Sequence, residues 1–189
     1  VSKLKKDDFD SWDEYHFYLW ILDAKELGLV TQAKFYPKAF ELSELVEYNK
    51  EVQMKTKTKI VKKKLLAPHV YTADTLIEFV PMFHDLFPEM DIHPDPTYPN
   101  SYWFDVKPSV NQKYVKYGSS KTFPLNQKWV YQVHGIYINR IMMKVLFHKT
   151  WCPHEVRQGA RVPVLKPWIG TKTKEDIKDL IFEKRTMFE

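Results

Sequence analysis

Asp105 and Lys107 stand two positions apart in Ser-Tyr-Trp-Phe-Asp-Val-Lys (101–107), a run that reads as a β-strand closed by Pro108. Alternation along a strand puts their side chains on one face, about 7 Å apart, with Val106 turned into the opposite layer. A second strand is expected over 70–79 (Val-Tyr-Thr-Ala-Asp-Thr-Leu-Ile-Glu-Phe). In it Tyr71, Ala73, Thr75, Ile77 and Phe79 would point one way and Thr72, Asp74, Leu76 and Glu78 the other. Pairing of the two strands as a hairpin sets Asp74 opposite Asp105, on a surface otherwise lined by Leu76 and Trp103. Two carboxylates crowded on such a surface are costly unless a cation joins them. Hard oxygen donors suit Mg²⁺, with Mn²⁺ as a substitute, and such an ion clamps a phosphate and activates water. Lys107 offsets part of the negative charge and is placed to orient or deprotonate that water. Hydrolysis of a phosphodiester is the chemistry this set could perform. Alone, Asp-x-Lys is a common triplet that an ion pair on a solvated strand would also explain, so order and setting carry the reading.

The elements that must hold these groups can be read in turn. Residues 10–27 read as an amphipathic helix, with Ser11 and Glu14 spaced as a capping box and Gly28 at the C-terminal cap. Tyr15, Tyr18, Leu19, Ile21 and Leu22 fall on one arc, with Asp13, His16 and Asp23 opposite and Glu14 at the edge of the apolar arc. Residues 33–42 read as extended, with a bend or edge at Pro37. The 50–64 stretch carries Lys50, Lys55, Lys57, Lys59, Lys62, Lys63 and Lys64 against one acid, Glu51. A strand there would align Lys55, Lys57 and Lys59 on one face, either as a solvated hairpin that discourages edge pairing or as a ribbon tracking phosphates. The proline-spotted 81–100 segment is read as a hairpin insertion, and its Asp91, His93 and Asp95 as parts of an exposed stiff loop. Pro124 should open a helix over 124–134 that Gly135 ends, followed by strands at 136–141 and 144–148 and a last helix over 174–184. Strands and helices interleave, so the expected class is α/β, a mixed central β-sheet flanked by helices.

The 189 residues suggest one domain: a core at about 10–150, the 81–100 insertion and a C-terminal helical extension at about 170–189. Hydrophobic residues at 44% and aromatics at 15% argue against disorder, and a formal charge of +5 favours a polyanionic partner. One cysteine, Cys152, leaves no internal disulfide and fits a reducing compartment. The first residues lack the apolar run of a signal peptide, and no stretch is apolar enough for a membrane span. A cytoplasmic protein with no membrane partner and no organic cofactor is expected. Cys152 and His154 with His148 have no regular zinc spacing, and neither a Gly-rich phosphate loop nor a GxSxG elbow is present. The six tryptophans are read mostly as core, with Trp129 and Trp151 as candidates for stacking on bases.

Asp74, an intervening hairpin and Asp105-Val-Lys107 resemble the signature of the PD-(D/E)xK nuclease superfamily, with Ala73 where the motif's name has proline. Glu14, within Ser11-Trp12-Asp13-Glu14-Tyr15, is similar to the helix glutamate that completes the metal site in many members. Gln127-Lys128-Trp129-Val130-Tyr131 resembles the QxxxY motif of RecB-like and lambda-exonuclease-like nucleases, on which Gln127 and Tyr131 would be neighbours on one helix edge. The pattern over residues 10–150 resembles small nucleases encoded by phages and prophages. The resemblance implies a restriction-endonuclease-like core and a Mg²⁺-dependent deoxyribonuclease acting in DNA recombination, repair or processing, in the cytoplasm of a bacterial host. Asp74, Asp105 and Glu14 would hold the metal, Lys107 would serve the nucleophile, and Gln127 and Tyr131 would place water and strand. Lys55, Lys57, Lys59, Lys62, Lys63, Lys64 and Lys128 would grip DNA. Resolvase-like members imply a homodimer. Endo- or exonuclease action, DNA or RNA, and one ion or two stay open. A non-catalytic nucleic-acid-binding protein and a phage structural protein are the competing expectations.

Overall fold

The computed structural model describes residues 4–108, 119–158 and 171–186. After a short 3₁₀ turn at Lys6–Asp8, helix α1 (Trp12–Glu26) begins at Ser11, whose hydroxyl accepts from the Glu14 N–H at 3.1 Å. It ends before Gly28, which takes the positive φ of 71° that the cap signal implied. Three strands of the central sheet follow from β-branched and aromatic runs: β1 (Val30–Phe35), β6 (Thr75–Phe79) and β7 (Ser101–Val106). β8 (Ile138–Ile141) completes it, in the order β1-β6-β7-β8. β6 pairs antiparallel with β1 and β7, while β7 and β8 run parallel. A parallel pair needs a crossover, and helix α3 (Ser119–His134) lies between β7 and β8 in the chain. The molecule is thus mixed α/β, a mixed sheet flanked by helices, as its interleaved pattern led one to expect.

The two faces of the sheet are packed differently. Phe104 and Val106 join α1 in a large cluster with Phe17, Trp20, Phe79 and Trp151. On the other face Trp103, Ile138 and Phe40 meet Phe123 and Val130 of α3. α1 is buried on more than one side, because the C-terminal helices α4 (Met143–Lys149), α5 (His154–Gln158) and α6 (Lys174–Thr186) contribute Leu146, Phe147, Val156, Ile177 and Ile181 to that cluster. Asp23, expected on the wet side, is therefore buried; it pairs with Lys174 at 3.2 Å and accepts from the Trp151 indole at 3.3 Å.

Several expectations need correcting. The strand expected at 70–79 is two strands, β5 (His69–Thr72) and β6, because the chain leaves the central sheet at Ala73–Asp74. A matching break interrupts the facing strand. β1 ends at Phe35, Tyr36 adopts a left-handed φ of 46°, and β2 (Ala39–Ser43) pairs with β5 in a separate ladder. The Tyr36 N–H donates to the Asp74 carbonyl at 2.8 Å, tying the two breaks together. Beyond this elbow the ribbon continues into β3 (Val46–Gln53) and β4 (Thr58–Leu66). Lys55 and Lys57 lie in the connecting turn and not beside Lys59 on a strand. The 144–148 strand is instead α4, whose buried Met143, Leu146 and Phe147 have the i, i+3, i+4 spacing of a helix. α3 starts before Pro124, which sits inside it at the loss of one backbone donor. The 81–100 connection carries a short helix α2 (Met82–Leu86), and Asp95 is buried, accepting from Thr97 and Tyr98 N–H and the Trp103 indole. Trp12 is exposed, and Trp168 lies outside the described residues. No helix among the described residues is long and apolar enough to cross a membrane.

Candidate functional site

Thr75 pairs with Phe104, so Asp74, one residue before it, arrives level with Asp105 where the β6–β7 ladder ends. The Asp74 carboxylate turns back onto this ladder and accepts from the Val106 N–H at 2.7 Å. Asp105 is 1% exposed. Its Oδ2 accepts from the Tyr71 hydroxyl, and its Oδ1 is in ion-pair contact with Lys107 Nζ. That contact lacks hydrogen-bond alignment, so Oδ1 remains a buried carboxylate oxygen with no hydrogen-bond donor. Lys107 in turn lies over the Phe123 ring, 5.3 Å from its centre, which fixes its stem against the first part of α3.

The electrostatics reflect this crowding. Burial, then the negative charge of Asp105, push the Asp74 carboxyl up to about 7; the Val106 N–H and Lys107 oppose the rise, and Glu14 adds to it. The Tyr71 phenol is held far above its ordinary value by burial and by Asp105. One ammonium thus serves a buried acid, Asp105, and a half-buried one, Asp74.

Glu14 stands beside this pair and is engaged elsewhere. Its Oε1 accepts from the Ser11 hydroxyl at 2.8 Å and its Oε2 from the Tyr36 hydroxyl at 2.6 Å. A shallow cleft lined by Glu14, Tyr36, Asp74, Thr75 and Val106 joins it to Asp74. Among the described residues no group of three or more His, Cys, Asp or Glu side chains is gathered closely enough to hold a metal ion. The acids that meet are two, Asp74 and Asp105. That donor set still fits Mg²⁺, which commonly takes one or two protein carboxylates and fills its shell with water and phosphate oxygens. Asp105 Oδ1, which Lys107 contacts and no aligned hydrogen bond holds, is the oxygen such an ion would use.

Gln127 and Tyr131 share an edge of α3, as their spacing implied, but that edge faces another cleft. Gln127 Nε2 donates to the Ile138 carbonyl of β8 at 2.6 Å. Ile138 pairs with Trp103, two residues before Asp105, so the amide sits about 7 Å along the sheet from the acids. Tyr131 is exposed and lines, with Gln127, Lys128, His93, Pro94, Pro96 and Tyr137, a cavity of about 600 Å³ that includes neither acid. Lys59, Lys62, Lys63 and Lys64 lie on exposed β4, Lys55 and Lys57 in its turn, and Lys128 on α3. Cys152 is buried and its thiol pushed up to about 11 by burial, the opposite of a ligand thiolate. Trp151 is core, and Trp129 stacks on His69 at 5.1 Å.

Tyr71 and Tyr36 are the site residues that sequence reasoning missed. A continuous 70–79 strand would turn Tyr71 away from Asp74, whereas the break at Ala73–Asp74 brings both to Asp105. Tyr36 carried a weak signal, since a residue before Pro37 at a bend is where strands part. Compared with known protein families, curated proteins and solved structures, the chain matches none.

Proposed function

We propose that this chain is a Mg²⁺-dependent deoxyribonuclease of the PD-(D/E)xK type that hydrolyses DNA phosphodiester bonds. The observation that carries the reading is the meeting of Asp74 with Asp105-Val-Lys107 at the end of the β6–β7 ladder, with the Lys107 ammonium against one buried oxygen of Asp105. The central sheet, with β1, β6 and β7 antiparallel, α3 between β7 and β8 in the chain and β8 parallel to β7, is a mixed sheet flanked by helices, and that supports the reading.

A bound Mg²⁺ or Mn²⁺ would supply charge neutralisation for the phosphate and a more acidic water. Asp74 and Asp105 would hold it. Lys107, released from Asp105 Oδ1, would hydrogen-bond the attacking water or a phosphate oxygen. The Tyr71 hydroxyl keeps the Asp105 carboxylate in place by donating to its other oxygen. Glu14, held by Ser11 and Tyr36, adds negative charge near Asp74 and lines the same cleft. Gln127 anchors α3 to β8, which makes it a positioning residue and not a ligand.

One feature favours a second reading. Lys107 already neutralises Asp105, and Glu14 is fully engaged, a pattern also suited to a nucleic-acid-binding protein that keeps this arrangement without cutting. Purified chain incubated with supercoiled, linear and branched DNA in Mg²⁺, Mn²⁺ or EDTA separates the two. Nicking that needs the metal is expected; retention of DNA indifferent to EDTA, with no nicking in either metal, would leave the non-catalytic reading standing.

A further inference from the structure

The β3–β4 arm is exposed along almost its whole length, with only Val61 half-buried. Strands this long normally bury one face, so an arm that packs on nothing exists for a partner or for solvent. Its register separates the side chains into two unlike faces. Directly paired residues share a side. One face therefore carries Tyr48, Lys50 and Val52 of β3 with Lys63, Val61 and Lys59 of β4. The other carries Glu47, Asn49, Glu51 and Gln53 with Lys64, Lys62, Ile60 and Thr58. The first face holds three lysines and no acid. On the second, two lysines meet two glutamates, and Lys62 lies 3.9 Å from Glu47. A run of lysines meant only to prevent edge pairing has no reason to be sorted by face.

We infer that the acid-free face of the arm, with Lys50, Lys59 and Lys63, is the surface that binds duplex DNA, and that Lys62 and Lys64 on the charge-balanced face take little part. This deepens the proposed function and rests on it for the identity of the polyanion. Phosphates are the complement of a cationic face without acids, and a two-stranded ribbon is narrow enough to lie along a groove of the duplex. Tyr48, exposed between Lys50 and Lys63 on that face, offers a hydroxyl donor to phosphate or sugar. The arm is joined to the acid-bearing end of the sheet through the β2–β5 ladder, since β5 follows it and ends two residues before Asp74.

The test is a pair of charge-matched variants of the full chain, Lys59→Gln/Lys63→Gln and Lys62→Gln/Lys64→Gln. Their binding to a fluorescently labelled DNA duplex is measured in EDTA over a range of salt concentrations. All four lysines are exposed strand residues, and circular dichroism verifies that both variants fold. The first pair is expected to weaken binding about tenfold or more near physiological salt and to reduce the log–log salt slope by about two. The second is expected to change affinity by less than about threefold and leave the slope nearly unaltered. Equal losses in the two variants, or no loss in either, overturn the assignment. Because the assay needs no cutting, the two ideas fail separately. Face-dependent binding in a chain that never nicks DNA removes the nuclease and keeps the surface; nicking with face-blind binding does the reverse.

Discussion

Two acid sites of this molecule, Asp23 and the Asp74–Asp105 pair, are built on different terms. On the α1 side Asp23 is buried under the C-terminal helices; burial raises its carboxyl, while Lys174 and the Trp151 indole pull it back. Lys174 also holds Glu26 at 2.8 Å, so this cation is shared outward, toward solvent. At the end of the β6–β7 ladder burial raises Asp74, and a second acid, Asp105, pushes it further in the same direction. Asp23 has an adequate set of donors. The Asp74–Asp105 pair is short of positive charge, a shortage that the cation of the proposed function would relieve.

The contrast can be broken at its strongest point by activity. Asp105→Ala and Lys107→Ala are each expected to reduce metal-dependent nicking by at least ~100–1,000-fold, the size of effect seen when one charge-stabilising group is lost, with DNA binding largely kept. Gel-based cleavage rates check this, and undiminished cutting by either variant removes the site assignment.

Stability should then move in opposite directions at the two sites. Lys174→Met strands Asp23 and is expected to cost about 2–3 kcal/mol, less than for a fully buried pair because Lys174 reaches solvent. Asp74→Asn keeps an acceptor for the Val106 N–H and removes one of two repelling charges. In metal-free buffer above pH 7 it should stabilise the chain by about 1 kcal/mol. Urea titrations of both variants decide, and the same sign for both would erase the distinction.

A pH series sharpens it further. Asp74 titrates at about 7 in the folded chain against about 3.9 when unfolded, so the folded state binds the proton more tightly. Its stabilising contribution is complete below pH ~4 and is lost as pH rises through ~7. The metal-free melting temperature of wild type, relative to Asp74→Asn, should therefore fall across that window. Mg²⁺ should raise the wild-type melting temperature more at pH 8 than at pH 5, because there it meets no competing proton. A metal effect independent of pH would count against Asp74 as a ligand. The smallest change is expected from Gln127→Ala. Loss of one bond to the Ile138 carbonyl costs about 1 kcal/mol of stability and should leave the cleavage rate within a few-fold of wild type.

Sequence reading reached those parts whose signals are local. Ser11, Glu14 and Gly28 bound α1 because caps are written within a few residues, and 101–107 alternates cleanly enough to place Asp105 and Lys107 together. What it missed depends on partners far along the chain. No residue between 70 and 79 marks the exit at Ala73–Asp74, which is decided by the matching break at Tyr36. Every side chain before it therefore changes face, and Tyr71 reaches Asp105 unseen. Asp23 looked wet because the helices that cover it come more than a hundred residues later. Residues 144–148 are too few for a period to tell helix from strand, and only Met143 before them completes the helical stripe. Gln127 and Tyr131 were correctly neighbours, but which wall of the protein they face depends on how α3 crosses to β8.

The double break at Tyr36 and Asp74 also gives the chain a measure of length. Beyond it the chain runs through β2 into the arm and returns through β5, and the eight residues of β3 alone span about 27 Å when extended. That is close to the rise of eight base pairs at ~3.4 Å each. Oligonucleotides shorter than this would leave part of the ribbon empty, so binding, and with it cutting efficiency, should climb with duplex length and then level off once the ribbon is filled.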